Sequence, residues 1–145
     1  MRLPKVGPVP PFICTPERSR HIKGNRKALG LEGEWVATEF LKKQGYKILQ
    51  RNYNPGTSEI DIIGYDKGII AFLEVKTCLS HRYGPPEVRV TEAKKRRIYK
   101  AAQKYVKERH LSGQRFRFDV VSVLFDPNKN APEVKLIKGA FSLKG

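Results

Sequence analysis

Two stretches with apolar residues at helical spacing, three short β-rich runs between them and two more after the second predict an α/β domain, a mixed sheet carrying helices in the order α-β-β-β-α-β-β. The chain's 145 residues are the size of one domain and can bury a core without disulfide or metal staples. No internal repeat competes with that reading, and the longest apolar run, around Gly68 to Leu73, is far too short to cross a bilayer.

Residues 1–25 read as a basic tail. Pro4, Pro8, Pro10, Pro11 and Pro16 interrupt every run and leave no apolar stretch of secretory-signal length, so a cytoplasmic location is expected. The domain proper takes 26–145. Its first helix is predicted from Arg26 to Gln44, capped by Asn25 and stopped by Gly45, with Leu29, Val36, Phe40 and Leu41 as the buried stripe. Gly30, Gly33 and Ala37 lie beside that stripe, where small residues let a helix approach a sheet closely. Strands are predicted at Lys47 to Tyr53, Glu59 to Tyr65 and Ile69 to Thr77. A loop with Gly84, Pro85 and Pro86 leads to Thr91, which caps a helix from Glu92 to Arg109 with Ile98, Ala101, Ala102, Tyr105 and Val106 inward. Arg115 to Phe125 reads as a buried strand, and Asp126-Pro127-Asn128 turns the chain into a last strand near Val134 to Ile137. Trp35 and Tyr46 are expected in the core.

Charge narrows the function. The formal net charge is +15, which favours a polyanionic partner. The basic groups are segregated: residues 1–29 carry seven against one acid and residues 92–109 eight against two, while residues 30–91 balance eight with eight. Acids gathered inside a basic chain suggest a cation site beside a phosphate track. Lys94, Lys95, Arg96 and Arg97 stand at a helix start, where four cations oppose the helix dipole; bound phosphate would compensate them. No membrane partner is expected, because Ala101, Ala102 and Tyr105 suit a sheet better than lipid.

The chemistry concentrates in Glu59-Ile60-Asp61 and Glu74-Val75-Lys76. Lys67-Gly68 can form a two-residue hairpin turn, and pairing Asp66 with Ile69 then sets Asp61 across from Glu74 and Glu59 across from Lys76. Two facing carboxylates amid apolar neighbours repel unless a cation lies between them. A hard divalent ion, Mg2+ or Mn2+ rather than Zn2+, suits oxygen ligands. Lys76, on the same face as Glu74, can steady an attacking hydroxide or a developing phosphate charge, which is the equipment of phosphodiester hydrolysis.

The order Gly30-x-x-Gly33-Glu34, Gly45-Tyr46, Arg51-Asn52, Glu59-Ile60-Asp61, Glu74-Val75-Lys76, Val90-Thr91-x-x-Lys94 and Arg117-Phe118-Asp119-Val120-Val121 resembles the bacterial YraN-type proteins over about residues 27–125. That family in turn looks like the restriction-endonuclease-like PD-(D/E)XK nucleases, near archaeal Holliday junction resolvases. The resemblance implies a restriction-endonuclease-like mixed sheet flanked by helices. It also implies Asp61, Glu74 and the Val75 carbonyl as metal ligands, a catalytic Lys76, and Glu34 completing the acidic site. Ser58 stands where such proteins usually have glycine, and Cys78 where an arginine is common. The resulting expectation is a metal-dependent nuclease acting on nucleic acid, DNA ahead of RNA, with a homodimer suggested by the likeness to resolvases. One rival is a nucleic-acid-binding module with the same fold and no turnover, though a decayed enzyme would be expected to have lost part of the Glu34, Asp61, Glu74 and Lys76 set. The other is a protein-interaction scaffold, which divalent-ion binding would count against.

Overall fold

The computed structural model describes residues 26–56, 58–79 and 90–142. The expected tail, the Asn25 cap and the loop around Gly84 to Pro86 lie outside the described residues. The elements are α1 (Arg26–Lys43), β1 (Lys47–Tyr53), β2 (Ile60–Asp66), β3 (Ile69–Cys78), α2 (Glu92–Glu108), β4 (Arg115–Leu124) and β5 (Glu133–Phe141). Their order is the one expected, and they form one five-stranded sheet, β1-β2-β3-β4-β5, with a helix on each face. Only β3 and β4 run parallel among these neighbours, and α2 lies in the crossover between them, as a parallel pair requires.

Alternation along the strands divides the core in two. Ala71 and Leu73 of β3 face α1 together with Ile62, Val121 and Val123, against Val36, Ala37 and Leu41. Ile70 and Phe72 face α2 together with Ile63 and Val120, against Ile98, Ala101, Ala102 and Tyr105. Trp35 and Tyr46 are buried as expected. Gly33 lies so close to β3 that a Cβ there would overlap the Thr77 side chain. At Gly30, by contrast, a Cβ would meet nothing within 4 Å, so only part of the small-residue face is needed for the approach.

The turns follow their residues. Gly45 ends α1 with φ at 93°, a conformation only glycine adopts freely. Lys67 and Gly68 both have positive φ, 47° and 87°, which is the tight hairpin turn that fixes the β2–β3 register. Thr91 caps α2, its side chain accepting from the Lys94 N–H at 3.2 Å. The one marked difference from expectation is β5, which extends from Glu133 to Phe141 rather than over four residues.

β5 is longer because it closes a polar cluster that the sheet buries. The β4–β5 register shifts between Phe118 and Val120, and there Gly139, at φ 62°, turns its N–H to Asp119 Oδ1 at 2.9 Å. Arg117 grips Asp119 at 2.7 and 2.9 Å and Asp66 at 2.8 Å; Tyr46 donates to Asp119 at 3.0 Å and Lys138 to Asp66 at 3.0 Å. Burial alone would push the Asp66 pKa up, but the hydrogen bonds and charges of Arg117 and Lys138 outweigh it and hold the carboxyl below its ordinary range. A folded-state pKa below the unfolded one stabilises the fold at every pH above the unfolded value, about 3.9, and that contribution disappears as pH falls through the folded value. Urea melts should therefore find Asp66→Asn less stable than the parent at pH 7, with the gap closing below about pH 4. A gap that stays constant into acid would show that charge on Asp66 contributes nothing.

Candidate metal-binding and catalytic site

The site lies where the hairpin comes apart. The β2–β3 ladder has the expected register and runs from Asp66–Ile69 to Ile62–Leu73. One step further the two strands no longer pair residue to residue. Instead the Val75 N–H donates to Asp61 Oδ2 at 2.8 Å, so a side chain serves where a strand would have. Asp61 and Glu74 stand together there, as the register requires. Burial first, and the Glu74 charge second, hold the Asp61 carboxyl well above the ordinary carboxylate range, against the opposing effect of the Val75 hydrogen bond.

Glu74 continues the series Ile70, Phe72 on the α2 face, and its side chain is 4% exposed. It is not left as a lone buried charge. Lys94 Nζ, from the first turn of α2, lies 2.6 Å from Glu74 Oε1, and Lys76 Nζ lies 3.3 Å from the same oxygen. Burial works against the Lys94 charge, but the Glu74 carboxylate outweighs it and raises the lysine pKa.

On the other side of Asp61 two more carboxylates converge. Glu34 comes from α1 and Glu59 from the residue before β2; with Asp61 each offers an oxygen, and these lie within 4.8 Å of one another. Burial, then the charge of Glu59, raises the Glu34 pKa, with Arg51 opposing. Arg51 itself lies 5.8 Å from the Trp35 ring centre. The Asn52 amide fits with its nitrogen toward the carboxylates, donating to Glu59 Oε1 at 2.8 Å and Glu34 Oε2 at 2.9 Å; reversed, its oxygen would face acceptors alone.

The structure thus brings together Glu34, Asp61, Glu74 and Lys76, with Val75 bound through its backbone to Asp61. It adds Glu59, Asn52 and Lys94. Glu59 does not take the place opposite Lys76 that a continued ladder would have given it, because the ladder has ended, and Lys76 turns to Glu74. The expected cationic row Lys94 to Arg97 is divided by the helix. Lys94 sits four residues before Ile98 and seven before Ala101, on the buried stripe, and therefore points at the sheet. Lys95 pairs with Glu92 at 2.9 Å and lies 5.7 Å from the Phe141 ring, while Arg96 and Arg97 are exposed. Among the described residues no helix is long and apolar enough to cross a membrane.

Comparison with known proteins identifies a family. Residues 33–123 match the uncharacterised protein family UPF0102. The chain is 44% identical over 117 residues to a UPF0102 protein of Clostridium tetani (strain Massachusetts / E88), covering 81% of this chain and 96% of that protein. It is 42% identical over 118 residues to one of Clostridium botulinum (strain Loch Maree / Type A3), with the same coverage. A UPF0102 protein of Chloroherpeton thalassium is 45% identical over 102 residues, 70% of this chain and 79% of that protein.

Proposed function

The chain belongs to the uncharacterised protein family UPF0102, and we propose that it is a metal-dependent nuclease of the restriction-endonuclease-like class, hydrolysing phosphodiester bonds in DNA or structured nucleic acid. The observation that carries this reading is the meeting of Glu34, Glu59, Asp61 and Glu74 at the open end of one hairpin, with two lysines on Glu74, in a chain of net charge +15. The donor set fits a hard ion: it is all carboxylate oxygen, with neither histidine nor cysteine in the cluster, which suits magnesium or manganese. Asp61 is the shared ligand, with Glu34 and Glu59 on one side and Glu74 on the other. The Val75 carbonyl is on the same strand edge as its N–H and therefore faces Asp61, where it can join them. When bound, the ion would polarise the scissile phosphate and ease formation of hydroxide from its water.

The chain's own residues do the rest. Lys76 and Lys94 bring two ammonium groups to Glu74, where they can hold the phosphate and meet the negative charge that grows on it as the bond breaks. Arg96, Arg97, Lys100 and Lys104 lie exposed on α2 and give the polyanion a track leading to those lysines. The likeness to junction resolvases makes a homodimer part of the proposal.

A second reading is a nucleic-acid-binding module without turnover. It is favoured by the 2.6 Å contact of Lys94 with Glu74, because a carboxylate already neutralised by lysine needs no metal. Lys76 decides between the two. A manganese-dependent cleavage screen over duplexes, flaps, junctions and structured RNA identifies the substrate, and Lys76→Met is then measured on it; methionine keeps the stem packing and drops the charge. In a nuclease the rate falls by about two orders of magnitude, roughly 3 kcal/mol of barrier, because such contacts strengthen in the transition state. Affinity should shift by much less. No cleavage of any substrate by the parent chain, together with salt-sensitive binding, would leave the binding module standing.

A further inference from the structure

We propose that Asn52 is the positioning residue of the acidic cluster, a neutral clamp that holds Glu34 and Glu59 beside Asp61 in the spacing that one divalent cation needs. The inference rests on the metal-site reading above and explains a residue which that reading leaves without a role.

Three observations converge on it. The β1–β2 pairs on either side, Arg51 with Ile62 and Tyr53 with Ile60, put Asn52 level with Asp61. Its backbone is in the left-handed region at φ 52°, inside a strand, where a residue with a side chain is uncommon and asparagine is among the few that tolerate it. Such a turn of the backbone redirects the side chain, and here the amide reaches both Glu59 and Glu34. Local strain of this kind persists where surrounding contacts determine it, and functional sites are where it collects.

The chemistry of the amide matters as much as its place. Two N–H donors satisfy two carboxylates at once, each through one of its two oxygens. A lysine at this position would hold the same pair but cancel the charge that draws a cation. An aspartate would add a further repulsion. An amide orders the ligands and leaves the cluster's negative charge intact, which is how groups behind metal ligands raise affinity.

The test separates the amide from the backbone it stands on. Asn52→Gly accepts the positive φ without strain but has no amide; Asn52→Ala has neither advantage. In calorimetric titrations of the full chain with MnCl2, Asn52→Gly should bind manganese about 10- to 100-fold more weakly than the parent. In EDTA Asn52→Gly should melt above Asn52→Ala, since glycine alone of the two accepts the positive φ freely, while both should bind manganese more weakly than the parent. Parental affinity in Asn52→Gly would overturn the proposal, since asparagine would then be present only for its backbone. A parent chain that binds no manganese would overturn the metal-site reading and this inference with it, a result distinct from the first.

Discussion

Asp61→Asn should abolish manganese-dependent cleavage and at the same time make the metal-free protein more stable. Both effects come from one arrangement. Asp61 is the carboxylate common to the two halves of the site, within reach of Glu34 and Glu59 on one side and of Glu74 on the other. Its replacement by a neutral amide therefore removes a ligand from any ion held there. The stability gain follows from the direction of its pKa. Burial and Glu74 raise the folded-state value above the unfolded value of about 3.9, so ionised Asp61 opposes folding, increasingly as pH rises from there through the folded value. An asparagine carries no such charge at any pH. In EDTA the variant should match the parent near pH 4 and exceed it at pH 8, as read by thermal melting. In saturating MnCl2 the order should reverse, because only the parent gains binding energy from the ion. A variant that still cleaves, or one that is less stable than the parent at pH 8 without metal, would remove Asp61 from the centre of the site.

The largest loss of stability is expected on the opposite side of the sheet from α2. Asp119 is fully buried and accepts from four atoms: Arg117 Nε and Nη2, Tyr46 Oη and the Gly139 N–H. Asp119→Ala leaves the guanidinium with Asp66 and the Tyr46 oxygen, and takes the acceptor from the Tyr46 hydroxyl and the Gly139 N–H. Removing one partner of a buried ion pair costs about 3–5 kcal/mol when the remaining charge is left uncompensated; Arg117 keeps Asp66, which sets the expected cost near the lower end. The urea midpoint should fall steeply with the slope unchanged. Asp119→Asn, which keeps the shape and part of the acceptor capacity, should cost distinctly less. Replacing Arg117 and Asp119 together by leucines should recover little, because the buried Asp66 would lose Arg117 and keep Lys138 as its cation. A loss below about 1 kcal/mol in Asp119→Ala would mean that water reaches the cluster and takes over its bonds.

How much of this was legible in the sequence depends on how local the cause was. The hairpin register followed from two residues, Lys67 and Gly68, whose left-handed backbones leave one tight turn and hence one pairing. Helix α2 and its cap followed from Thr91 and an apolar stripe of period 3.6. Lys94 was equally readable from its distance to Ile98 and Ala101, which puts it on the buried stripe although it begins a run of four cations. Glu59 and Asn52 were not readable in that way. The end of the β2–β3 ladder and a single positive φ bring their side chains to Glu34, and neither leaves a mark in residue spacing. The extent of β5 was hidden for a related reason. It is the edge of the sheet, its residues are half-buried or exposed without a clean alternation, and it is held past Ile137 by a bulge that bonds Gly139 to Asp119, twenty residues earlier in the chain.

The backbone amide of Val75 offers a spectroscopic window on the site. Most amides of a central strand answer to another backbone, and their resonances change little with the state of a side chain. This one answers to the carboxylate of Asp61. Its proton shift in a two-dimensional nitrogen–proton spectrum should therefore move when Asp61 takes up or releases a proton, and its exchange with deuterium should slow when that carboxylate is held in place. One peak would then follow occupation of the site through a titration with magnesium, a diamagnetic ion that leaves the signal sharp. It would do so in a chain given no nucleic acid at all, before a substrate has been chosen.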